Sequence, residues 1–271
     1  ICSTKTYCRM NLIYQFWSGG QPRYADVSRR WFQEYAEKIG AEYLFLDNPK
    51  SFSTYGEYFN ACRPLFDKSF HKYDRVLYLD MDIFPVEGCI ENIFEVECKG
   101  IAMAEEPDQV NQRKKKWSNT IHADNDKLWK RKLESRFQSN IPVDKEGYVR
   151  TFNSGVVLYT QEFMQSAQER FIKIERYVDA CITLPKFYSL DQNYLNANAF
   201  REDYFSPLDV EWNRQLYRYG PSAQKFRPIY DKRTESTKFV HYQVRGRDQL
   251  TEQILQERIN TPAKQWSIID A

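Results

Sequence analysis

Short apolar runs alternate with amphipathic stretches along this chain, and the alternation predicts the class of fold. Asn11 to Trp17 (NLIYQFW) is rich in β-forming residues and gives way to Ser18-Gly19-Gly20-Gln21-Pro22, whose glycines and proline mark a loop. From Arg23 to Ile39 the apolar positions Val27, Trp31, Tyr35 and Ile39 recur at helical spacing, with Phe32 and Ala36 beside them and Gly40 as a stop. Tyr43 to Leu46 reads as a second strand closed by Asp47-Asn48-Pro49, Tyr58 to His71 as a second helix, and Arg75 to Leu79 as a third strand. Strand, helix, strand, helix, strand predicts an α/β domain with a parallel, doubly wound sheet, where ligands bind beyond the carboxyl ends of the strands.

Downstream the pattern is less regular. Gly100 to Ala104 is a short apolar stretch that runs into Glu105-Glu106 and then into a polar, charged segment through Gly147. Its Arg113-Lys114-Lys115-Lys116 run and Trp117 read as an insertion or mobile lid, with a solvated helix or loop as the alternative. Phe152 to Tyr159 then reads as a strand, Glu162 to Cys181 and Leu190 to Phe200 as helices, Phe239 to Tyr242 as a late strand and Thr251 to Ile259 as a final helix.

Composition narrows the picture. A chain of 271 residues is long enough to bury a large core and fits one α/β domain. Its 39 basic and 37 acidic side chains nearly cancel, so no global field favours nucleic acid or an anionic membrane surface. Aromatic residues make up 16% of the chain while mean hydropathy is -0.72, a combination that suits rings exposed in a cleft as well as an aromatic core. No apolar run approaches the ~20 residues that span a bilayer. The start at Ile1 without an initiator Met is compatible with removal of an upstream segment, and with a place in a larger multidomain protein. Six scattered cysteines (Cys2, Cys8, Cys62, Cys89, Cys98, Cys181) lack zinc-type spacing, and no Asn-x-Ser/Thr sequon occurs. Free thiols and a cytoplasmic location are expected, with the Golgi or endoplasmic reticulum lumen as the alternative if an upstream anchor was removed.

The chemistry concentrates at Asp80-Met81-Asp82. The same spacing recurs at Asp124-Asn125-Asp126 in a polar region with no strand before it, so spacing alone decides nothing. What sets the first apart is that Val76 to Leu79 delivers two carboxylates to a sheet edge, where burial is costly without a cation. Hard oxygen donors suit Mg²⁺ or Mn²⁺, which commonly share their coordination between protein carboxylates and substrate phosphates. His241 follows the apolar Phe239-Val240 and can lie at a strand end facing the same ion, or serve as a hydrogen-bonded structural residue. Arg245-Gly246-Arg247 follows it; Gly246 permits close backbone approach and Arg247 can grip phosphate in a forked geometry. Trp17 and Tyr24 flank the first loop and can stack on a nucleobase or pack in the core.

The accumulated motifs resemble a known family. Cys62-Arg63-Pro64, Tyr73 to Asp82 (YDRVLYLDMD), Phe152 to Leu158 (FNSGVVL) and Leu190-Asp191-Gln192 look like the retaining glycosyltransferases of the glycogenin and lipopolysaccharide-galactosyltransferase type, in the same order, over about Asn11 to Gln249. The resemblance implies a single GT-A, Rossmann-like domain with a mostly parallel central sheet flanked by helices. It implies Mn²⁺ (or Mg²⁺), a nucleotide-sugar donor of the UDP-sugar type, a glycan or glycoprotein acceptor, and retention of configuration. Residues 11–104 would be the nucleotide-binding half, 105–150 a variable charged insertion, 151–250 the half completing the metal and acceptor sites, and 251–271 a helix and tail. By position, Asp80, Asp82 and His241 would hold the metal, with Asp80 also contacting the donor.

Arg63 would contact the donor sugar or diphosphate, or form a helix-surface ion pair. Asn153 would bond sugar hydroxyls, or supply turn chemistry. Asp191 and Gln192 would flank the reacting carbon; Gln192 is a poor nucleophile, which favours front-face substitution, and Asp191 can instead cap a helix. The family pattern His-x-x-Gly-x-x-Lys-Pro-Trp is altered here, because four residues separate His241 from Gly246 and no Lys-Pro-Trp follows, so Arg245 or Arg247 would replace the lysine. The competing readings are a haloacid-dehalogenase-like phosphatase using Asp80 as nucleophile and a silent glycan-binding module of the same fold.

Overall fold

The fold comes from a computed structural model that describes residues 10–51, 53–201, 204–225 and 227–266. Strand β1 (Asn11–Trp17), helix α1 (Arg23–Ile39) and strand β2 (Glu42–Asp47) form as the apolar pattern predicts, α1 burying Val27, Phe32, Tyr35 and Ala36. The expected helix over Tyr58 to His71 is instead two 3-10 segments, Glu57–Cys62 and Lys68–Lys72, around a single α turn, α2 (Arg63–Phe66). Pro64 has no N–H to continue the ladder, and Asp67 turns extended and accepts from the Ser69 N–H, starting a new segment. Next come β3 (Arg75–Leu79), β4 (Ile83–Pro85) and β5 (Ile101–Glu105).

The charged segment is folded, not a loose lid. It carries α3 (Pro107–Lys114) and α4 (Ala123–Phe137), and α4 buries Trp129 and Leu133 in the main core while the Trp129 indole N–H donates to the Tyr177 hydroxyl at 3.1 Å. Apart from buried Glu106, Arg113 and Asp126, its charges are half-buried or exposed, and the few apolar residues of its helices are spaced too irregularly to reveal the buried stripe. Beyond it lie β6 (Phe152–Thr160), α5 (Gln161–Arg170) and α6 (Ile174–Cys181). The single helix expected over Glu162 to Cys181 breaks at Phe171, where the backbone extends and the ring packs on Phe163 and Tyr194. The chain finishes with α7 (Asp191–Ala199), β7 (Phe205–Leu208), β8 (Arg214–Arg218), β9 (Ile229–Tyr230), β10 (Phe239–Tyr242) and α8 (Glu252–Asn260).

The central sheet has the order β2-β1-β3-β6-β5-β7. Five strands run one way and β6 runs against both of its neighbours, so the sheet is largely parallel with one reversed strand. A second sheet, β4-β10-β8-β9, was not foreseen; its strands are two to five residues long, and β4 pairs with β10 from far along the sequence. Cys62, Cys89, Cys98 and Cys181 are free thiols, while Cys2, Cys8 and the end of the tail lie outside the described residues. Among the described residues no helix is long and apolar enough to cross a membrane.

Leu133 tests whether the charged segment belongs to the core. Leu133→Ala deletes a fully buried side chain and is expected to cost about 2–5 kcal/mol of unfolding free energy in urea titrations; an unchanged midpoint would return the segment to a mobile lid.

Candidate functional site

The site begins where β3 ends. The Asp80 N–H donates to the Gly155 carbonyl of β6 at 2.8 Å, and the Tyr78 hydroxyl, two residues back on the same strand face, donates to Asp80 Oδ1 at 2.5 Å. Gln15 on β1 donates to the Asp80 carbonyl at 3.4 Å and to Ser28 Oγ at 3.1 Å, and Ser28 Oγ donates to the Ile83 carbonyl at 2.7 Å. The chain thus turns over buried Met81 in a braced bend and enters β4.

Register then brings in the imidazole. β4 pairs antiparallel with β10, Ile83 opposite His241, and the Tyr242 N–H donates to the Asp82 carbonyl at 2.8 Å. His241 Nε2 lies 3.2 Å from Asp82 Oδ1, and Asp80, Asp82 and His241 offer ligand atoms all within 4.8 Å of one another. Two carboxylates and one imidazole so close form a donor set for a divalent cation such as Mg²⁺ or Mn²⁺. Gly155 makes room for the imidazole: a Cβ there would stand 2.7 Å from His241 Cε1.

Burial and mutual repulsion act strongly on these groups. Burial, then the Asp82 charge, pushes the Asp80 carboxyl up to about 6. Burial would raise Asp82 too, but His241 and then Arg247 outweigh it and hold Asp82 below the usual carboxylate range. For His241, burial lowers the pKa while Asp82 raises it, and the net shift is upward. Asp191 is raised to about 7 by burial and by Asp80.

A cleft of about 480 Å³ opens above the cluster and is lined by every candidate site residue named from the sequence except Arg63, Arg245 and Gly246. Asp191 and Gln192 enter it from the first turn of α7. Gln192 Oε1 accepts from Asn153 Nδ2 at 3.2 Å and from the Ser154 N–H at 3.4 Å, and Asp191 accepts from Ser154 Oγ at 3.4 Å. The helix cap is Leu190, so capping does not explain Asp191. Trp17 also lines the cleft, its indole N–H donating to the Gly20 carbonyl at 2.9 Å. Tyr24 is buried under the Arg247 guanidinium, 4.7 Å from its ring centroid, and this face is not open to a base.

Two further expectations change. Arg63 donates to Asn60 Oδ1, to the Lys50 carbonyl and, at 3.5 Å, to Asp67, away from the cleft; the guanidinium pins the irregular 57–72 segment. Asn153 is 4% exposed and its amide is filled by protein: Oδ1 accepts from the Gly155 N–H and from Asn213, and Nδ2 donates to Glu106 and Gln192. Four bonds complete an amide's capacity, so Asn153 positions its neighbours and has nothing left for a sugar hydroxyl. Gly246 adopts φ +83°, the left-handed turn that swings Arg247 back to Asp82 Oδ2 at 3.1 Å, while Arg245 is exposed.

Several participants escaped the sequence reading. Glu106 sits directly after a short apolar strand, a signal that was available. Gln15, Tyr78 and Gln243 lie on or beside strands that were recognised, but which face meets the site depends on pairing partners. Asn213 follows a 3-10 turn and carries no local signal.

A family model described as glycosyl transferase family 8 matches residues 27–246. No curated protein matches the chain. Similar solved structures include a glycosyltransferase involved in the glycosylation of the major capsid of PBCV-1, at 13% identity, covering 86% of this chain and 92% of that one with a TM-score of 0.45. The galactosyltransferase LgtC in complex with donor and acceptor sugar analogs is similar at 12% identity, over 86% and 87% of the two chains, with a TM-score of 0.47. Mouse xyloside xylosyltransferase 1 in its apo form is similar at 14% identity, over 86% and 97%, with a TM-score of 0.42.

The raised carboxyl at Asp80 and raised imidazole at His241 make cation binding a proton exchange. Below about pH 6 an ion must displace the Asp80 proton as well as that on His241, so affinity is expected to fall by roughly tenfold or more per pH unit there and to level off in alkaline buffer. Calorimetry with Mn²⁺ in buffers of different ionisation enthalpy measures the released protons; an affinity independent of pH would remove these residues from the ligand set.

Proposed function

The chain belongs to glycosyl transferase family 8, and from that premise we propose that this glycosyltransferase moves a hexose or pentose from a UDP-sugar to a hydroxyl of a glycan or glycoprotein, with retention of configuration and with Mn²⁺ held by Asp80, Asp82 and His241. The observation that carries the reading is the three-residue donor set in a cleft also lined by Trp17, Asp191 and Gln192. The mixture of carboxylate and imidazole donors favours Mn²⁺ over Mg²⁺. Bound there, the ion supplies Lewis-acid stabilisation of the charge on the departing nucleoside diphosphate.

The chain's own groups divide the remaining work. Trp17 offers its ring to the base, and Arg247 turns from Asp82 toward the diphosphate, where its fork matches phosphate oxygens. Gln192 is held by Asn153 and the Ser154 N–H through its oxygen, and among the described residues nothing accepts from its Nε2, which leaves that amide group for the donor sugar. Asp191, raised to about 7, carries its proton part of the time near neutrality and is a muted nucleophile. That supports substitution on the face from which the diphosphate leaves, with a diphosphate oxygen taking the proton of the acceptor hydroxyl. Family membership sets aside the phosphatase reading of Asp80.

A panel of nucleotide sugars tested with Mn²⁺ is expected to give metal-dependent diphosphate release with at least one UDP-sugar, and proton NMR of the product a retained anomeric linkage. Asp82→Asn keeps the side-chain volume and is expected to lower turnover on the order of 10³-fold, the rate equivalent of about 4 kcal/mol of transition-state stabilisation. Full activity in that variant, or no donor bound with Mn²⁺ present, would refute the assignment.

A further inference from the structure

His241 faces the carboxylates through Nε2, and its other nitrogen, Nδ1, lies 3.2 Å from Asn213 Oδ1. Side-chain amides and imidazoles are ambiguous taken singly, because oxygen and nitrogen can be exchanged and either ring nitrogen can bear the proton. Here the ambiguity is removed by groups whose roles are fixed. The Gly155 backbone N–H can only donate, and it points at Asn153 Oδ1 at 2.8 Å. The Glu106 carboxylate, paired with Arg113, accepts from the other end of the same amide at 2.6 Å. Asn153 therefore has a single orientation. Asn213 meets Asn153 Oδ1 at 2.8 Å and must do so with its NH₂, which leaves Asn213 Oδ1 toward the imidazole. An oxygen facing Nδ1 requires the ring proton there.

We propose that Glu106, Asn153 and Asn213 form a positioning relay that locks His241 as the Nδ1–H tautomer and so presents its Nε2 lone pair to the cation position between the carboxylates. The inference rests on the metal-binding role given to His241 above. Around Nε2, the Gln243 amide nitrogen lies 3.1 Å away and can donate to a lone pair there, while Asp82 Oδ1 lies 3.2 Å away as a second acceptor. Two lone pairs that close repel each other unless a cation or a further proton sits between them. The relay thereby builds a position that demands positive charge. Its outer end is anchored by the charged 105–150 segment: Arg113, 5% exposed, pairs with Glu106 at 3.6 Å and Asp126 at 3.2 Å and donates to Thr151 Oγ1 at 2.9 Å. Metal-binding histidines commonly have their second nitrogen fixed in this way, and losing the partner weakens affinity.

The chain has three histidines, so ¹⁵N-histidine labelling resolves the rings, with His71→Gln and His122→Gln assigning them. In EDTA-treated wild-type protein in alkaline buffer, long-range proton–nitrogen spectra are expected to show His241 protonated at Nδ1 and bare at Nε2. Asn213→Leu is expected to release the tautomer and to weaken Mn²⁺ binding, measured by calorimetry, about 10- to 100-fold. Asn213→Asp, which still offers Nδ1 an acceptor, is expected to keep the wild-type tautomer. A wild-type ring bearing its proton on Nε2 overturns the relay and needs no variant to observe. So does an Asn213→Leu protein with an unchanged tautomer. Failure of the wild type to bind Mn²⁺ would defeat the metal reading itself, and the wild-type spectrum would still decide the relay.

Discussion

Two carboxylates held side by side at the end of one buried strand impose the constraint that the rest of this structure answers. Like charges about 4 Å apart repel by about 4 kcal/mol at an effective dielectric near 20, and burial adds to that cost. Nothing local on β3 can offset it, since Val76, Leu77 and Leu79 are apolar and the Tyr78 hydroxyl supplies one hydrogen bond. The offset comes from the far end of the chain. His241 and Arg247 approach Asp82 because β4 pairs with β10 in one register; a slip of one residue would turn the imidazole to the opposite face. The small second sheet is what brings His241 and Arg247 to Asp82.

The reversed strand β6 solves a related problem of geometry. In a fully parallel sheet only strand C-termini and the loops after them reach the ligand edge. Because β6 runs against β3, its N-terminal residues Asn153, Ser154 and Gly155 arrive at that edge instead, already hydrogen-bonded in the ladder. The irregularity between Met103 and Ala104, where β5 pairing shifts from Val157 to Asn153, re-aims the strand end so that Glu106 reaches the Asn153 amide. Rigid backbone at this point lets Asn153, Gln192 and Asn213 hold each other in place, which a mobile loop would not.

How much of this could be seen in the sequence follows from the range of the forces involved. β1, α1, β2 and β3 are set by local periodicity and were legible, and so was the placement of Asp80 and Asp82, because a strand end is a local property. His241 was legible as a residue type at a strand end, but its nearness to Asp82 depends on pairing across about half the chain. Arg63 and Asn153 show the opposite limit. Both belong to recognisable motifs, and the structure directs one to Asn60 and Asp67 and fills the other with four protein bonds. A motif reveals that a residue is needed, whereas the surrounding hydrogen bonds decide whether it faces ligand or supports something that does. Tyr24 makes the same point, since an aromatic next to a binding loop was buried under a guanidinium.

Charge accounting within the cleft explains why a chain of nearly balanced composition can handle an anionic donor. Asp80, Asp82 and Asp191 contribute up to three negative charges against the Arg247 guanidinium and the His241 ring. Taken alone, the protein groups leave the floor of the cleft negative or near neutral, a poor match for a diphosphate. A divalent ion on the three residues proposed to hold it would reverse that sign locally, and the rise of Asp191 to about 7 would keep that carboxyl from fully cancelling it. On the proposed metal reading the donor would need the ion first, because without it the carboxylates would repel the diphosphate and keep Arg247 for themselves. Specificity for phosphate would then reside in the cation and in the freed guanidinium proposed above, while the protein's overall charge, 39 basic against 37 acidic side chains, need not favour anions at all.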